Sequence, residues 1–343
     1  MDDRSLRNAF SSALDRTLGR SRIPPALAIT AATNMMLIGR EIPDSFWDRI
    51  DRASRSRSER DDYCFLDQLR TSDRSSLSIR TRSDGIEPFE IRYAGFRAFR
   101  PTSKRPDPDA TLDMPFDGSF DFADVDEEVF ASCSERGRTY DFLFNKYPFS
   151  PYLFLIVPDR MGRHNQFLDE VRDADVLGFV WSLVVGEDRG LRVGYNASGA
   201  SSSVNQMHFQ GYFASQMLVP LESWLSSGRS LSDWPLRGAR MVPVDRGVEG
   251  VLAFIAEMNE RFRSGEDVAY TLEFFPSGVV CMPRRGERTS AYRSSIEQLT
   301  YSTGFGFAEM AGTIIAQEPS PLDASGREIF DSIIRVYESL RLT

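Results

Sequence analysis

One of only two histidines in the chain, His208, directly follows a run of small, hydrogen-bonding residues. Residues 194–213 read Gly-Tyr-Asn-Ala-Ser-Gly-Ala-Ser-Ser-Ser-Val-Asn-Gln-Met-His-Phe-Gln-Gly-Tyr-Phe. If the second half of this stretch is a strand, Gln206, His208 and Gln210 share one face, and Met207 and Phe209 turn toward a core. Two amides then flank one imidazole. Gly194, Gly199 and Ala200 let the backbone come close to a ligand, and Asn196, Ser201, Ser202, Ser203 and Asn205 offer donors to phosphate oxygens. A neutral imidazole is a competent nucleophile toward phosphorus. The spacing fits equally a core histidine on an amphipathic strand beside an ordinary Ser/Gly loop, and spacing alone does not separate the two.

The elements that must position this stretch are legible in the pattern. Leu6, Phe10, Leu14 and Leu18 recur at helical spacing, and Pro43-Asp44-Ser45 opens a helix carrying Phe46, Trp47 and Ile50. Residues 1–62 thus read as an N-terminal helical segment. Leu77 and Ile79, then Phe89, Ile91 and Tyr93, alternate with polar residues around Asp84-Gly85, a hairpin signal. Strands are expected at Phe142 to Phe144, Tyr152 to Val157 and Leu191 to Tyr195, and a helix over Phe167 to Phe179. Residues 225–240, rich in Ser, Gly and Arg, read as a hinge. Beyond it come a helix from Val248 to Phe262, a hairpin from Val268 to Met282 around Pro276-Ser277-Gly278, and a closing helix from Asp323 to Leu340. The succession specifies an α+β fold, a mainly antiparallel sheet with helices packed on it.

Composition excludes several classes. The chain has 343 residues, 41% of them hydrophobic, enough for one large domain or two modest ones. A net charge of -9 argues against a general nucleic-acid binder, which needs a basic surface against backbone phosphates. The arginine-serine run at 52–60 is short and followed by Asp61 and Asp62, so it reads as a solvated loop or helix end. Lys104 and Lys146 are the only lysines. Cys64, Cys133 and Cys281 form no Cys-x-x-Cys pair, which points to buried free thiols and to neither a disulfide framework nor a metal site. The Met-Asp-Asp-Arg start lacks the order of a signal peptide, and Ile23 to Ile38 is too short and too polar to span a bilayer. The expectation is a cytoplasmic protein with no membrane partner.

The 194–213 stretch resembles the signature of the histidine triad superfamily, His-x-His-x-His or His-x-His-x-Gln, with His208 as the middle histidine and Gln210 as the final glutamine. Gln206 stands where the first histidine would be. Residues 113–130 resemble the Pro-Phe-Asp-Gly…Phe-Asn-Phe block of the GDP-hexose phosphorylases that act on GDP-L-galactose or GDP-D-glucose. Asn145-Lys146-Tyr147-Pro148 is similar to a nucleotide-contacting segment of that branch and of the diadenosine tetraphosphate phosphorylases, relatives in turn of galactose-1-phosphate uridylyltransferase. Thr271 to Val280 and Phe307 to Gly312 look like two C-terminal blocks of the same enzymes. The resemblance spans about residues 63–315.

What the resemblance implies is a HIT-like fold pseudo-duplicated in one chain. Residues 63–235 would be the catalytic half, and residues 236–343 a second half lacking the nucleophile. His208 would attack the α-phosphorus of an NDP-sugar, and inorganic phosphate would then release a nucleoside diphosphate. A dinucleoside polyphosphate phosphorylase, a nucleotidyltransferase of a specialised biosynthetic pathway and a non-catalytic nucleotide-binding protein are the alternatives. Gln210 is assigned to a phosphate oxygen, Asn196 to ribose or phosphate, and Asn145 and Lys146 to the nucleotide. Gln206 is expected to orient phosphate or imidazole. Arg189, Arg192, Arg284 and Arg285 read as solvated surface charge, with phosphate contact as the alternative, and His164 as an exposed loop residue or an acid near the site. Glu309 matches a family glutamate of unassigned role, and Tyr152 stands near a histidine of relatives. No cofactor is called for, and a homodimer is left open.

Overall fold

The computed structural model describes residues 2–52, 60–99, 122–162, 164–185, 190–202, 204–287, 289–299, 301–302 and 304–342. Lys104, Arg189, Ser203 and the 113–121 part of the Pro-Phe-Asp-Gly block lie outside them.

Helices open the chain: α1 (Asp3–Leu18), α2 (Pro25–Leu37), α3 (Asp44–Arg52), α4 (Arg60–Thr71) and the short α5 (Arg74–Leu77). In α1 the Asp2 carboxylate caps the Ser5 N–H at 2.7 Å, and the four-residue repeat of Leu6, Phe10 and Leu14 is buried. Pro25 begins α2, where its missing N–H costs nothing, and nearly the whole helix is buried. Two strands follow, β1 (Ile79–Arg82) and β2 (Glu90–Ala94), antiparallel around Asp84-Gly85 as the pattern indicates.

The main sheet uses β3 (Val129–Glu135), β4 (Arg138–Phe144), β5 (Phe154–Pro158), β6 (Leu191–Asn196) and β7 (Phe209–Phe213), with α6 (Ala174–Val184) crossing between β5 and β6. After α7 (Pro220–Ser226) come β8 (Arg240–Pro243), α8 (Gly247–Arg263), β9 (Val268–Phe275) and β10 (Gly278–Arg285). The chain closes with α9 (Ser290–Gln298), α10 (Phe307–Met310), β11 (Thr313–Ala316), α11 (Ser320–Asp323) and α12 (Gly326–Ser339). Eight strands form one sheet in the order β3-β4-β5-β7-β6-β9-β10-β8, and all its pairings are antiparallel. A second sheet, β1-β2-β11, gains its last strand in parallel. The fold is α+β. The 235/236 boundary falls between α7 and β8, and the chain on either side of it meets through the β6–β9 pairing.

Alternation along the strands divides the core. Phe142, Phe154, Val193, Phe209, Leu272 and Phe274 turn to one face, where α1, α2, α6 and α8 cover them. Tyr212, Phe275, Val280 and Met282 turn to the other, beneath the small sheet, α10 and α12. At the β4–β5 end of that second face, Leu143, Val157 and Phe122 make a separate small cluster. Each fully buried phenylalanine contributes about 2–3 kcal/mol, so both faces are firmly held.

Two expectations shift. The helix expected over 167–179 begins at Ala174, because Asp169 accepts from Val171 N at 2.9 Å and Arg172 N at 2.8 Å and makes a carboxylate-held turn instead. The thiols are free, but only Cys281 is buried. Cys133 lies on edge strand β3 and Cys64 faces outward on α4, positions that an apolar-thiol expectation overlooks.

Candidate active site

β7 begins at Phe209, one residue after His208, so the expected Gln206-His208-Gln210 strand face is only half present. Phe209 turns to the helix-covered face. His208 therefore turns to the opposite one, beside the Phe122 cluster. The Phe122 ring meets the imidazole edge-on at a centroid distance of 5.5 Å. In the β5–β7 register Ile156 faces Phe209, and Gly194 of β6 faces Gln210, so continuing the register brings Asn196 beside His208.

His208 is 5% exposed, and its Nδ1 lies 2.7 Å from the Gln206 carbonyl oxygen. A carbonyl only accepts, so Nδ1 carries the proton and Nε2 keeps its lone pair. Nε2 has no hydrogen-bond partner among the described residues. Burial disfavours the imidazolium and lowers the pKa of His208, outweighing the Gln206 carbonyl, which acts in the other direction. Burial thereby favours the neutral ring, with the lone pair on Nε2.

A residue that sequence reasoning missed fixes this geometry. Gln166, 1% exposed, accepts from His208 N at 2.8 Å and donates from Nε2 to the carbonyls of His208 at 3.0 Å and Asn196 at 2.8 Å. One carboxamide thus pins both backbone groups of His208 and ties them to the end of β6. No spacing pattern marks it, because its partners at 196 and 208 are distant in sequence. His164 contributes its carbonyl, which accepts from Met207 N at 2.7 Å, while its ring folds back over Gly162.

Gln206 is not at a phosphate-facing surface. It is 1% exposed, donates from Nε2 to Arg160 O at 2.7 Å and accepts from Phe122 N at 2.7 Å. Because residues 204–208 have left the strand, its side chain goes inward under the short helix Phe122–Asp124. Arg160, 9% exposed and also unforeseen, holds that helix through the carbonyls of Phe122 and Ala123, at 2.6 and 2.9 Å, and pairs with Asp141 and Asp126.

The other amides divide by engagement. Gln210 is half-buried, and no hydrogen bond of its side chain exists among the described residues. Asn196 accepts from Thr271 Oγ1 at 3.3 Å, leaving Nδ2 without an acceptor among the described residues, close to Gly306. Asn205 accepts from Gln166 N at 3.3 Å. Gly199 (φ 79°) and Ser201 (φ 62°) both sit in the left-handed region, so the Ser/Gly run is a tight turn. The hydroxyls are largely committed. Ser201 donates to Glu287 and accepts from Phe305 N, and Ser202 donates to Val204 O at 2.8 Å.

Asn145 and Lys146 are not brought to His208. Asp141 faces Val157, the β5 residue level with His208, and Asn145 and Lys146 lie four and five residues farther along, roughly 13–17 Å at about 3.3 Å per residue. There the Asn145 carbonyl accepts from Asn34 at 2.9 Å, and Lys146 Nζ pairs with Asp62 at 3.0 Å. Tyr152 packs with Phe10 and Phe213 on the helix-covered face.

Arg192 and Arg284 are not solvated surface charge. Arg192 is 7% exposed and pairs with Glu222, while Arg284 is fully buried against Glu287 and the Phe305 carbonyl. Interior strand positions place them inside, and a carboxylate beside each offsets the desolvation. The Arg285 backbone N–H bonds to Leu340 O at 2.8 Å. Glu309 accepts from Gly306 N at 3.0 Å, satisfying a donor at the start of α10, and burial pushes its carboxyl up to about 7. That helix sets Phe307 on Gly194, where a Cβ would meet the ring at 2.3 Å. Among the described residues no His/Cys/Asp/Glu group could hold a metal, and no helix is long and apolar enough to cross a membrane.

One comparison with known proteins falls on the same segment. No curated protein matches the sequence significantly. Two solved structures of yeast Ap4A phosphorylase Apa2 are similar at a TM-score of 0.48. The complex with Ap4A is 15% identical over 84% of this chain and 99% of that chain. The complex with AMP is 16% identical over 82% and 96%. Residues 115–212, from the Pro-Phe-Asp-Gly block through β7, match the family model described as "GDPGP1-like, N-terminal domain". The matched segment, which is similar to that domain, contains His208 near its end.

Proposed function

We propose that the chain is a nucleotide phosphorylase that carries a nucleotidyl group on His208, with a GDP-hexose as donor and inorganic phosphate as acceptor. The observation that carries this reading is the state of His208: buried and neutral, Nδ1 bonded to a carbonyl at 2.7 Å and Nε2 left open. The GDPGP1-like match over residues 115–212 supports the substrate class.

In the first step Nε2 attacks the α-phosphorus; an N–P bond forms and the bond to the leaving phosphate oxygen breaks. A hexose 1-phosphate, whose second pKa is about 6, departs as an anion without a general acid. An uncharged amide at Gln210 therefore suffices where a proton donor would otherwise be wanted. In the second step a phosphate oxygen attacks the same phosphorus, the N–P bond breaks, and a nucleoside diphosphate leaves with the imidazole restored. The free amides of Gln210 and Asn196 are the groups we assign to the equatorial oxygens, where preorganised donors act on developing charge. The Gly199 to Ser202 turn, with Asn205 behind it, is assigned to backing the phosphates through its backbone. Residues 63–235 and 236–343 are proposed as the catalytic and the nucleophile-free HIT-like halves.

The test is a panel of NDP-hexoses and dinucleoside polyphosphates, each incubated with phosphate and resolved by product. Nucleoside diphosphate plus hexose 1-phosphate from a GDP-hexose supports the reading. Turnover of dinucleoside polyphosphates alone would move the substrate class, and no turnover of any donor would remove the activity.

A further inference from the structure

Gln206 replaces an imidazole of the resembling signature and touches no open surface, yet both ends of its carboxamide are bonded to backbone. The bonds close a frame. Gln206 Oε1 holds the Phe122 N–H, the Arg160 guanidinium holds the Phe122 carbonyl at 2.6 Å, and the Arg160 carbonyl holds Gln206 Nε2. Gln206 also supplies the carbonyl that receives His208 Nδ1–H, and the Phe122 ring meets the imidazole edge-on. Charged side chains of the frame are already paired, Arg160 with Asp141 at 2.9 Å and with Asp126.

We infer that Gln206 is a positioning residue, a neutral donor-acceptor bridge that anchors its own carbonyl and Phe122 and so holds His208 with its proton on Nδ1. The site at 206 asks for one donor and one acceptor at once in a buried place. A carboxamide meets this in a single state. A neutral imidazole also offers one of each, which is why the exchange leaves the frame intact. An ionised glutamate supplies no donor, and methionine supplies neither. Without the bridge the Gln206 peptide is tied only through its neighbours, the carbonyl drifts from Nδ1, and the proton is free to occupy either ring nitrogen.

This inference refines the nucleophile assigned above, but its test does not need activity. With only two histidines, the ring-nitrogen NMR signals of His208 are assigned by difference against His164→Asn. The wild-type protein is expected to show a single neutral tautomer protonated at Nδ1. Gln206→Met is expected to mix the tautomers and to slow nucleotidyl-adduct formation at least tenfold with nucleotide affinity retained. Gln206→His, which restores donor and acceptor, should keep the Nδ1 tautomer and a rate within about threefold. Thermal melts confirm that each variant is folded, and Gln206→Asn serves as the shorter amide if Gln206→Met is not. An unchanged tautomer in a folded Gln206→Met or Gln206→Asn protein overturns the inference. So does a loss of nucleotide affinity with the tautomer intact, which would return Gln206 to the phosphate. If no donor forms an adduct, the phosphorylase reading fails while the tautomer measurement still decides the role of Gln206.

Discussion

Replacing Gln166 by leucine, close in size but without polar atoms, removes three hydrogen bonds at once, to His208 N, His208 O and Asn196 O. With Gln166 1% exposed, the abandoned groups have no ready water. An orphaned buried group costs about 1–3 kcal/mol, which sums to about 3–9. Losses above about 5 are exceptional because the backbone relaxes, so the expected loss is about 3–5 kcal/mol. At about 2.1 cal/mol/K per residue, the 343 residues give an unfolding entropy of roughly 0.7 kcal/mol/K, and Tm should fall by about 4–7 °C. The imidazole would lose its backbone anchor as well. A displacement of the order of 1 Å costs up to about 100-fold in rate, so adduct formation should slow by at least about tenfold. Calorimetry gives the first quantity and rapid-quench mass spectrometry the second. A Tm within 2 °C of wild type together with an unchanged rate would refute the clamp.

The pH dependence follows from the lowered pKa of His208. Unfolded histidine titrates near 6.5, so above that pH the folded and unfolded rings are both neutral and stability is full. As pH falls below about 6.5, the unfolded chain takes up a proton that the folded ring refuses, and stability is lost down through the folded pKa. Adduct formation should accordingly stay flat from pH 8 to 6.5 and decline only below, and an acid-limb midpoint at or above 6.5 would contradict the buried neutral ring. Lys146→Ala should cost about 1–3 kcal/mol, less than the 3–5 of a fully buried pair, because Lys146 and Asp62 remain 19% and 11% exposed. Its nucleotide affinity should stay within about twofold of wild type, and a tenfold loss in a folded variant would place that loop in the site.

Periodicity served where a side chain's surroundings repeat. The buried stripe of α1, the β1–β2 hairpin around Asp84-Gly85 and the β9–β10 hairpin follow from local pattern alone. The strand through Gln206 did not, because continued alternation is also what an extended segment leaving a sheet looks like, and the Met207 N–H bond to His164 O comes from 43 residues away. Gln166 and Arg160 were illegible for the same reason: their partners at 122, 196, 206 and 208 are distant in sequence, and a lone Gln or Arg carries no spacing signal. The buried Arg284 reads as surface charge until Glu287, Tyr292 and Phe305 close around it.

The central claim is covalent, and intact-mass spectrometry tests it most directly. Wild-type protein incubated with GDP-hexose in the absence of phosphate should gain one nucleotidyl mass, mapped by peptide fragmentation to His208. Added phosphate should discharge it as a nucleoside diphosphate, and His208→Asn should never acquire it. An adduct on another residue, turnover by His208→Asn at near wild-type rate, or no adduct with any nucleotide donor would contradict the account.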